Sequence, residues 1–359
     1  VADGQIELFT YGVGDPAGES LIQPDTRFRA GSVSKLITSL LVLRAEAAGL
    51  LALDDLVAEW LPGVLQPPAE GAEAVRIAHL LEHTAGLAGS SYAEYAAQTP
   101  DMTPSEYIER NSPFDLRWAP GVHYSYANAG HTLAARIVEI AWGADFDTLV
   151  RREVFRPLGM RDSSFDNASD AASLSRSFLP DGGAASRWAM PVRPAGALIS
   201  TPADLARVVS MLLARGSGPG GRRFLPEVSI KRMERGEHSL AAKAGAGAGV
   251  YALGNFPFVA GGRLYRGHWG RTEGFQATLG YRPADESGFV LLVNTSDRAG
   301  VSLMRELLGQ SLGSGADPDT VSEAPGGELP FSTDGVFVNH SHDMPLRSWL
   351  FGLLPAHTI

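Results

Sequence analysis

The 359-residue sequence contains no cysteine. Disulfides, thiol nucleophiles and cysteine–zinc sites are thereby excluded, while the redox compartment stays open. Lysine is almost as scarce: three of the 30 basic residues, Lys35, Lys231 and Lys243, the other 27 being arginine. Positive charge is short overall, and a formal net charge of −10 argues against a nucleic-acid partner, whose phosphates call for a basic surface. No run of 18 apolar residues occurs, so no transmembrane segment is expected. No signal peptide is read either; the chain opens on Val1 rather than methionine, so a missing leader says little about export. What is present, 44% hydrophobic and 19% charged residues, suits a globular chain with an ample core.

Residues 5–11 read as a strand. After Ser32, the apolar residues Leu36, Leu40, Leu43 and Ala47 recur at helical spacing. Helices also fit LDDLVAEWL, NAGHTLAARIVEIAW and FDTLVRREVF. A further one fits TPADLARVVSMLLARG, where Thr201 can cap, Pro202 suits the first turn and Gly216 the stop. From about Ala248 the period changes. VYALGNF, RLYRGHW, FQATLGYR and GFVLLVNT are short β-rich runs between Gly, Pro and Asp turns, an antiparallel meander closed by the helix GVSLMRELLGQSL. Strands near both ends with helices between predict an α+β fold: an antiparallel sheet flanked by helices, an inserted all-helical lobe and a cleft between. The expected body is 1–313, with a sheet lobe from about 1–50 and 245–313 and a helical lobe of about 51–244. A polar linker (314–329) and a tail (330–359) of unknown role follow, the tail expected to pack on the body.

The stretch AGSVSKL places Lys35 three residues after Ser32, on one helical face. A serine hydroxyl is a weak nucleophile until a base takes its proton. Arginine stays protonated, whereas a partly buried lysine can serve as that base. Backbone N–H groups at the start of a helix also favour an anion beside the serine oxygen. By itself this short and common pattern reads more readily as a helix-capping serine with a solvated lysine one turn on.

Two later segments bear on that choice. Tyr126-Ala127-Asn128 lies directly before a helix; a phenol there can relay protons and an amide can hold a substrate carbonyl. His268-Trp269-Gly270 ends a β run, and a glycine beside a cleft lets the next N–H approach an oxyanion. Each alone also reads as structural, a core tyrosine with a turn asparagine or a packed histidine. Together and in this order the three motifs resemble the serine penicillin-recognising enzymes: class C β-lactamases, D-alanyl-D-alanine carboxypeptidases, D-aminopeptidases and β-lactamase-fold esterases. LLEHTAGL (80–87), VFRPLGMRDSSF (154–165) and PAGALISTPADLARV (194–208) look like the same family, and the resemblance runs over about 6–310.

The resemblance implies a β-lactamase/transpeptidase-like fold and a cofactor-free, metal-free serine hydrolase acting on a small ester, amide or peptide. It implies Ser32 as the acylated nucleophile, with Lys35 and Tyr126 sharing the proton traffic and the main base left open. Asn128, His268, Gly270 and Arg271 would bind substrate, and the N–H groups of Ser32 and Arg271 would form the oxyanion hole. A D-alanyl-type carboxypeptidase, a β-lactamase or a penicillin-binding sensor without turnover remain alternatives. Periplasmic or secreted placement is expected on family grounds, with the cytoplasm still open; the oligomeric state is not indicated.

The third motif departs from the family's Lys-Thr-Gly. A neutral imidazole attracts a carboxylate less than an ammonium does, so an esterase or a hydrolase of less charged substrates is expected. Arg271 would restore the charge only if its side chain turned inward. Two rival sites are set aside. Gly309-Gln310-Ser311-Leu312-Gly313 matches Gly-x-Ser-x-Gly, but a helix precedes it and a loose segment follows, the reverse of a nucleophile elbow. The nine histidines, among them His83, His123 and His131, include no His-Glu-x-x-His.

Overall fold

A computed structural model of the protein describes residues 1, 5–15, 20–66, 75–89, 102–165, 174–179, 181–185, 190 and 192–312. The expected linker and tail lie outside the described residues. The chain enters through β1 (Phe28–Gly31) and turns at once into α1 (Ser34–Ala47). The predicted apolar stripe understates α1: Ile37, Leu41, Val42 and Ala45 are buried as well, while Ala47 is exposed. A helix apolar on all sides is one that the rest of the fold surrounds.

Short helices α2 (Val57–Trp60), α3 (Ile77–Leu81) and α4 (Pro104–Asn111) lead to α5 (Asn128–Trp142), whose span matches the sequence expectation. The strands β2 (Leu65–Gln66) and β3 (Phe114–Asp115) form a two-residue parallel ladder beside them. α5 packs tightly on α3, since a methyl group at Gly130 would lie 2.7 Å from the Leu80 carbonyl oxygen. α6 (Phe146–Val150) continues through a wider π turn into α7 (Arg156–Leu158). Next come the single turn α8 (Arg193–Gly196), then β4 (Leu198–Ser200), which pairs antiparallel with β1.

The helix α9 (Pro202–Leu213) starts as predicted, the Thr201 hydroxyl accepting from Asp204 N at 3.2 Å with Pro202 in the first turn. Although α9 falls in the span assigned to the helical lobe, it packs on the sheet. After α10 (Glu227–Met233) comes that sheet, a four-stranded antiparallel meander: β5 (Phe256–Ala260), β6 (Arg263–Thr272), β7 (Phe275–Arg282) and β8 (Ser287–Val293), in that order. α11 (Arg298–Ser311) closes the described chain against β5 and β8. One apolar core runs from α3 and α5 through α1 to Ala277, Leu279 and Tyr281 of β7. The fold is α+β, and among the described residues no helix is long and apolar enough to cross a membrane.

Two expected strands differ. Residues 5–11 form no strand beyond a bridge at Gln5, and Phe9 and Tyr11 lie almost fully exposed. An extended segment becomes a strand only with a backbone partner along its length. The run 250–255 is core without being strand. Gly254 adopts a left-handed φ of +63° and lies so close to α1 that a methyl group there would overlap Ser39 Oγ and sit 2.7 Å from the Lys35 carbonyl oxygen.

Ser34 ties the β1–α1 junction together. Its hydroxyl donates to the Gly31 carbonyl at 2.6 Å and accepts from Leu198 N at 2.9 Å, all of it buried. Ser34→Ala would strand both backbone groups, at a cost of about 1–3 kcal/mol for each one left unpaired; a thermal melt should show a lowered Tm with an unchanged far-UV spectrum.

Candidate active site

The turn between β1 and α1 presents Ser32. The helix begins two residues later, with Val33 at the N-cap, so Ser32 precedes the helix rather than opening it. Its carbonyl accepts from Lys35 N at 3.0 Å, while its side chain remains partly exposed. Lys35, one turn on, has no exposed surface. Its Nζ lies 3.3 Å from Ser32 Oγ, 2.7 Å from Asn128 Oδ1 and 2.8 Å from the Ala195 carbonyl oxygen. It also sits 4.6 Å from the centre of the Tyr126 ring. The first two sequence motifs therefore converge on one amine.

Each partner is held by its own support. Thr38, one turn along α1 from Lys35, donates to the Pro194 carbonyl at 2.7 Å and so fixes the turn that carries Ala195. Asn128 is the first residue of α5. The loop before it is pinned by His83, whose Nδ1 accepts from Ala127 N at 3.2 Å and whose ring lies 4.3 Å from that of Tyr126. His83 holds a left-handed backbone (φ 57°), unusual for a non-glycine residue. Nothing in the sequence pointed to the Tyr126–Asn128 loop as its partner.

The third motif meets Ser32 through backbone. A methyl group on Gly270 would overlap the Ala30 carbonyl oxygen and lie 2.6 Å from Ser32 N; one on Gly31 would lie 2.7 Å from Arg271 N. Only glycine fits where two main chains touch this closely, and Gly31 adds a positive φ of +52°. The backbone nitrogens of Ser32 and Arg271 are thus brought close at this crossing. Along β6, His268 and Gly270 share the buried face, whereas Trp269 and Arg271 project from the opposite, exposed one. Trp269 is 48% exposed and meets Phe256 edge-on, with ring centres 6.1 Å apart. Arg271 accordingly does not turn inward beside Gly270.

His268 is buried, with Nε2 2.8 Å from Tyr251 Oη and Nδ1 2.7 Å from the Trp269 carbonyl oxygen. Burial, then the nearby Lys35 charge, push its pKa down to about 3. The same two causes, together with their mutual proximity, hold His83 and His131 well below the ordinary histidine range. Tyr251, absent from the sequence reading because it lay in an expected strand, packs against His83, Tyr126 and His268. The rival Ser311 ends α11, exposed, its hydroxyl donating to the Leu308 carbonyl.

A family model described as Beta-lactamase matches residues 1–311. The chain belongs to the β-lactamase family. Penicillin-binding protein 4 of Amycolatopsis lactamdurans is 31% identical over 330 residues, covering 87% of this chain and 84% of that protein. Esterase EstB of Burkholderia gladioli is 38% identical over 169 residues, 44% of this chain and 43% of the esterase. The octameric penicillin-binding protein homologue from Pyrococcus abyssi superposes with a TM-score of 0.71 at 23% identity, covering 86% of this chain and 72% of that one, a likeness of fold. With esterase, carboxypeptidase and β-lactamase among its relatives, the chain is a serine hydrolase of ester or amide bonds.

The buried imidazoles set an acid limit on stability. A histidine held near 3 in the folded state titrates near 6.5 when unfolded, so below about pH 6.5 the unfolded chain binds the extra proton. The stability that each such group contributes is complete above pH 6.5 and is withdrawn as pH falls toward 3. Urea unfolding at pH 5 should therefore give a lower free energy than at pH 7, by about 2 kcal/mol for each imidazole held near 3.

Proposed function

We propose that Ser32 is acylated, that Lys35 with Tyr126 moves its proton, and that uncharged esters or amides are the preferred substrates. The observation that carries the mechanism is the Lys35 amine. A neutral amine has two N–H donors and one lone pair; the short contacts to Asn128 Oδ1 and the Ala195 carbonyl absorb the donors. The lone pair then faces Ser32 Oγ, at 3.3 Å. As Oγ bonds to the substrate carbonyl carbon, its proton passes to this amine, directly or by way of the Tyr126 phenol. The N–H groups of Ser32 and Arg271 receive the developing oxyanion. Collapse expels the alcohol or amine, which takes the proton, and a water deprotonated by the same groups then hydrolyses the acyl-enzyme.

Asn128 enters this scheme through Lys35, and Gly270 through the close approach that brings Arg271 N beside Ser32. The substrate preference rests on the third motif. The residue that stands where the family resemblance expects lysine is a neutral histidine with both nitrogens engaged inside the protein. It offers a substrate carboxylate no ammonium. The name of the esterase relative fits this preference; the penicillin-binding relative, matched over more of the chain, favours a second reading in which a penicillin acylates Ser32 and stays.

Intact-mass analysis with peptide mapping separates the two. p-Nitrophenyl acetate should leave a transient acetyl group on Ser32, lost in step with continued p-nitrophenol release, and none in Ser32→Ala. Lys35→Ala should slow acylation by about 10²–10⁴-fold. A persistent benzylpenicillin adduct without ester turnover would favour the second reading, and an unmodified Ser32 with both reagents would refute the mechanism.

A further inference from the structure

His268 was expected at the substrate, and its bonds give it a different task. A carbonyl oxygen only accepts, so the 2.7 Å contact with the Trp269 carbonyl requires the proton on Nδ1. The neutral ring then has an acceptor at Nε2, and the Tyr251 hydroxyl, 2.8 Å away and buried, is its donor. The low proton affinity of this imidazole agrees with a neutral ring committed to one tautomer.

The carbonyl that His268 holds is well placed to matter. In a strand the N–H and C=O groups of alternate residues leave by the same edge. The Trp269 carbonyl therefore shares an edge with Arg271 N, the atom that approaches Gly31 beside Ser32. Here β6 has already outrun β5, whose pairing ends at Gly267, while the other edge is taken by β7, with Gly270 opposite Ala277. Among the described residues no strand pairs along this edge past Gly267, and the imidazole supplies a donor to its carbonyl.

We propose that the His268–Tyr251 pair is a positioning device: it fixes the peptide at Trp269 and thereby the Arg271 N–H beside Ser32, and His268 does not contact substrate. This rests on the reading that Ser32 is the acylated residue. Tyr251 orders the tautomer, His268 orders the strand edge, and the strand edge sets one of the two oxyanion donors. Truncation of His268 then loosens the donor while leaving whatever binds the substrate untouched.

Asparagine and glutamine separate the two nitrogens, because an Asn amide reproduces the reach of Nδ1 and a Gln amide that of Nε2. Acylation by p-nitrophenyl acetate and by the anionic mono-p-nitrophenyl succinate would be followed by rapid mixing, with thermal melts as the folding control. His268→Gln should lose at least about tenfold in the acylation rate, toward the hundredfold that a displaced catalytic group costs, equally for both esters and with little change in KM. His268→Asn should lose much less. Tyr251→Phe, which keeps the ring packing, should fall between.

Nitrogen-15 spectra of the histidine rings should show His268 protonated at Nδ1 in the wild-type enzyme, and the Arg271 amide shift should move in Tyr251→Phe. A proton on Nε2, a glutamine variant faster than the asparagine one, or an effect that differs between the two esters would overturn the positioning role while leaving Ser32 acylation intact. A wild-type enzyme that never acylates on Ser32 would instead overturn the underlying reading, and this inference with it.

Discussion

A primary amine taken wholly out of water needs an acceptor for every hydrogen it carries, or it destabilises the fold around it. Lys35 has no exposed surface, and its Nζ lies within hydrogen-bonding distance of three separate stretches: the turn at Ser32, the start of α5 at Asn128 and the single turn of α8 at Ala195. Satisfying one nitrogen therefore fixes where the sheet edge, the helical region and the 193–196 turn meet. The supports follow from that demand. Thr38 clamps the Pro194 carbonyl from the same face of α1, and His83 holds the loop that delivers Asn128.

Electrostatics make the same pocket self-limiting. Three imidazoles, His83, His131 and His268, share with Lys35 a medium that penalises charge, and each has its proton affinity lowered first by burial and then by nearby charge, that of Lys35 for His83 and His268 and that of His83 ahead of Lys35 for His131. The imidazoles thus act as neutral, directional hydrogen-bonding groups. Such a neighbourhood leaves no nearby imidazole to compete with Lys35 in the proton transfer proposed for it.

The sequence showed much of this and hid a definable part. Helical period, capping by Thr201 and the change to β-rich runs near Ala248 located most of the elements, because each is a local property. The order of Ser32–Lys35, Tyr126–Asn128 and His268–Gly270 pointed to residues that the fold brings together from distant parts of the chain. The role of Ala195 was hidden, since its contribution is a backbone oxygen and any residue carries one. Tyr251 was hidden because an apolar run beside a glycine reads as strand; what stops the strand is Gly254 pressing against α1, a tertiary contact with no local signature. Residues 5–11 erred for the mirror reason, the correct composition without a partner along its length.

The close backbone contacts of Gly31 with Arg271 and of Gly270 with Ala30 and Ser32 explain which parts of the third motif are open to change. Both glycines stand where two main chains lie too close for a Cβ, so neither can vary without moving Ser32 N or Arg271 N. The two residues before Gly270 are not constrained in this way. Trp269 projects from the exposed face, and His268 faces a pocket whose only demand is a partner for its nitrogens, which Tyr251 and the Trp269 carbonyl provide. A cation at position 268 would put a charge in a buried site beside Lys35, while a neutral hydrogen-bonding ring does not. The absence of an ammonium from this motif and the presence of Tyr251 beneath it are thus two sides of one arrangement, in which the proposed oxyanion donors are set by backbone geometry and the proposed substrates are uncharged.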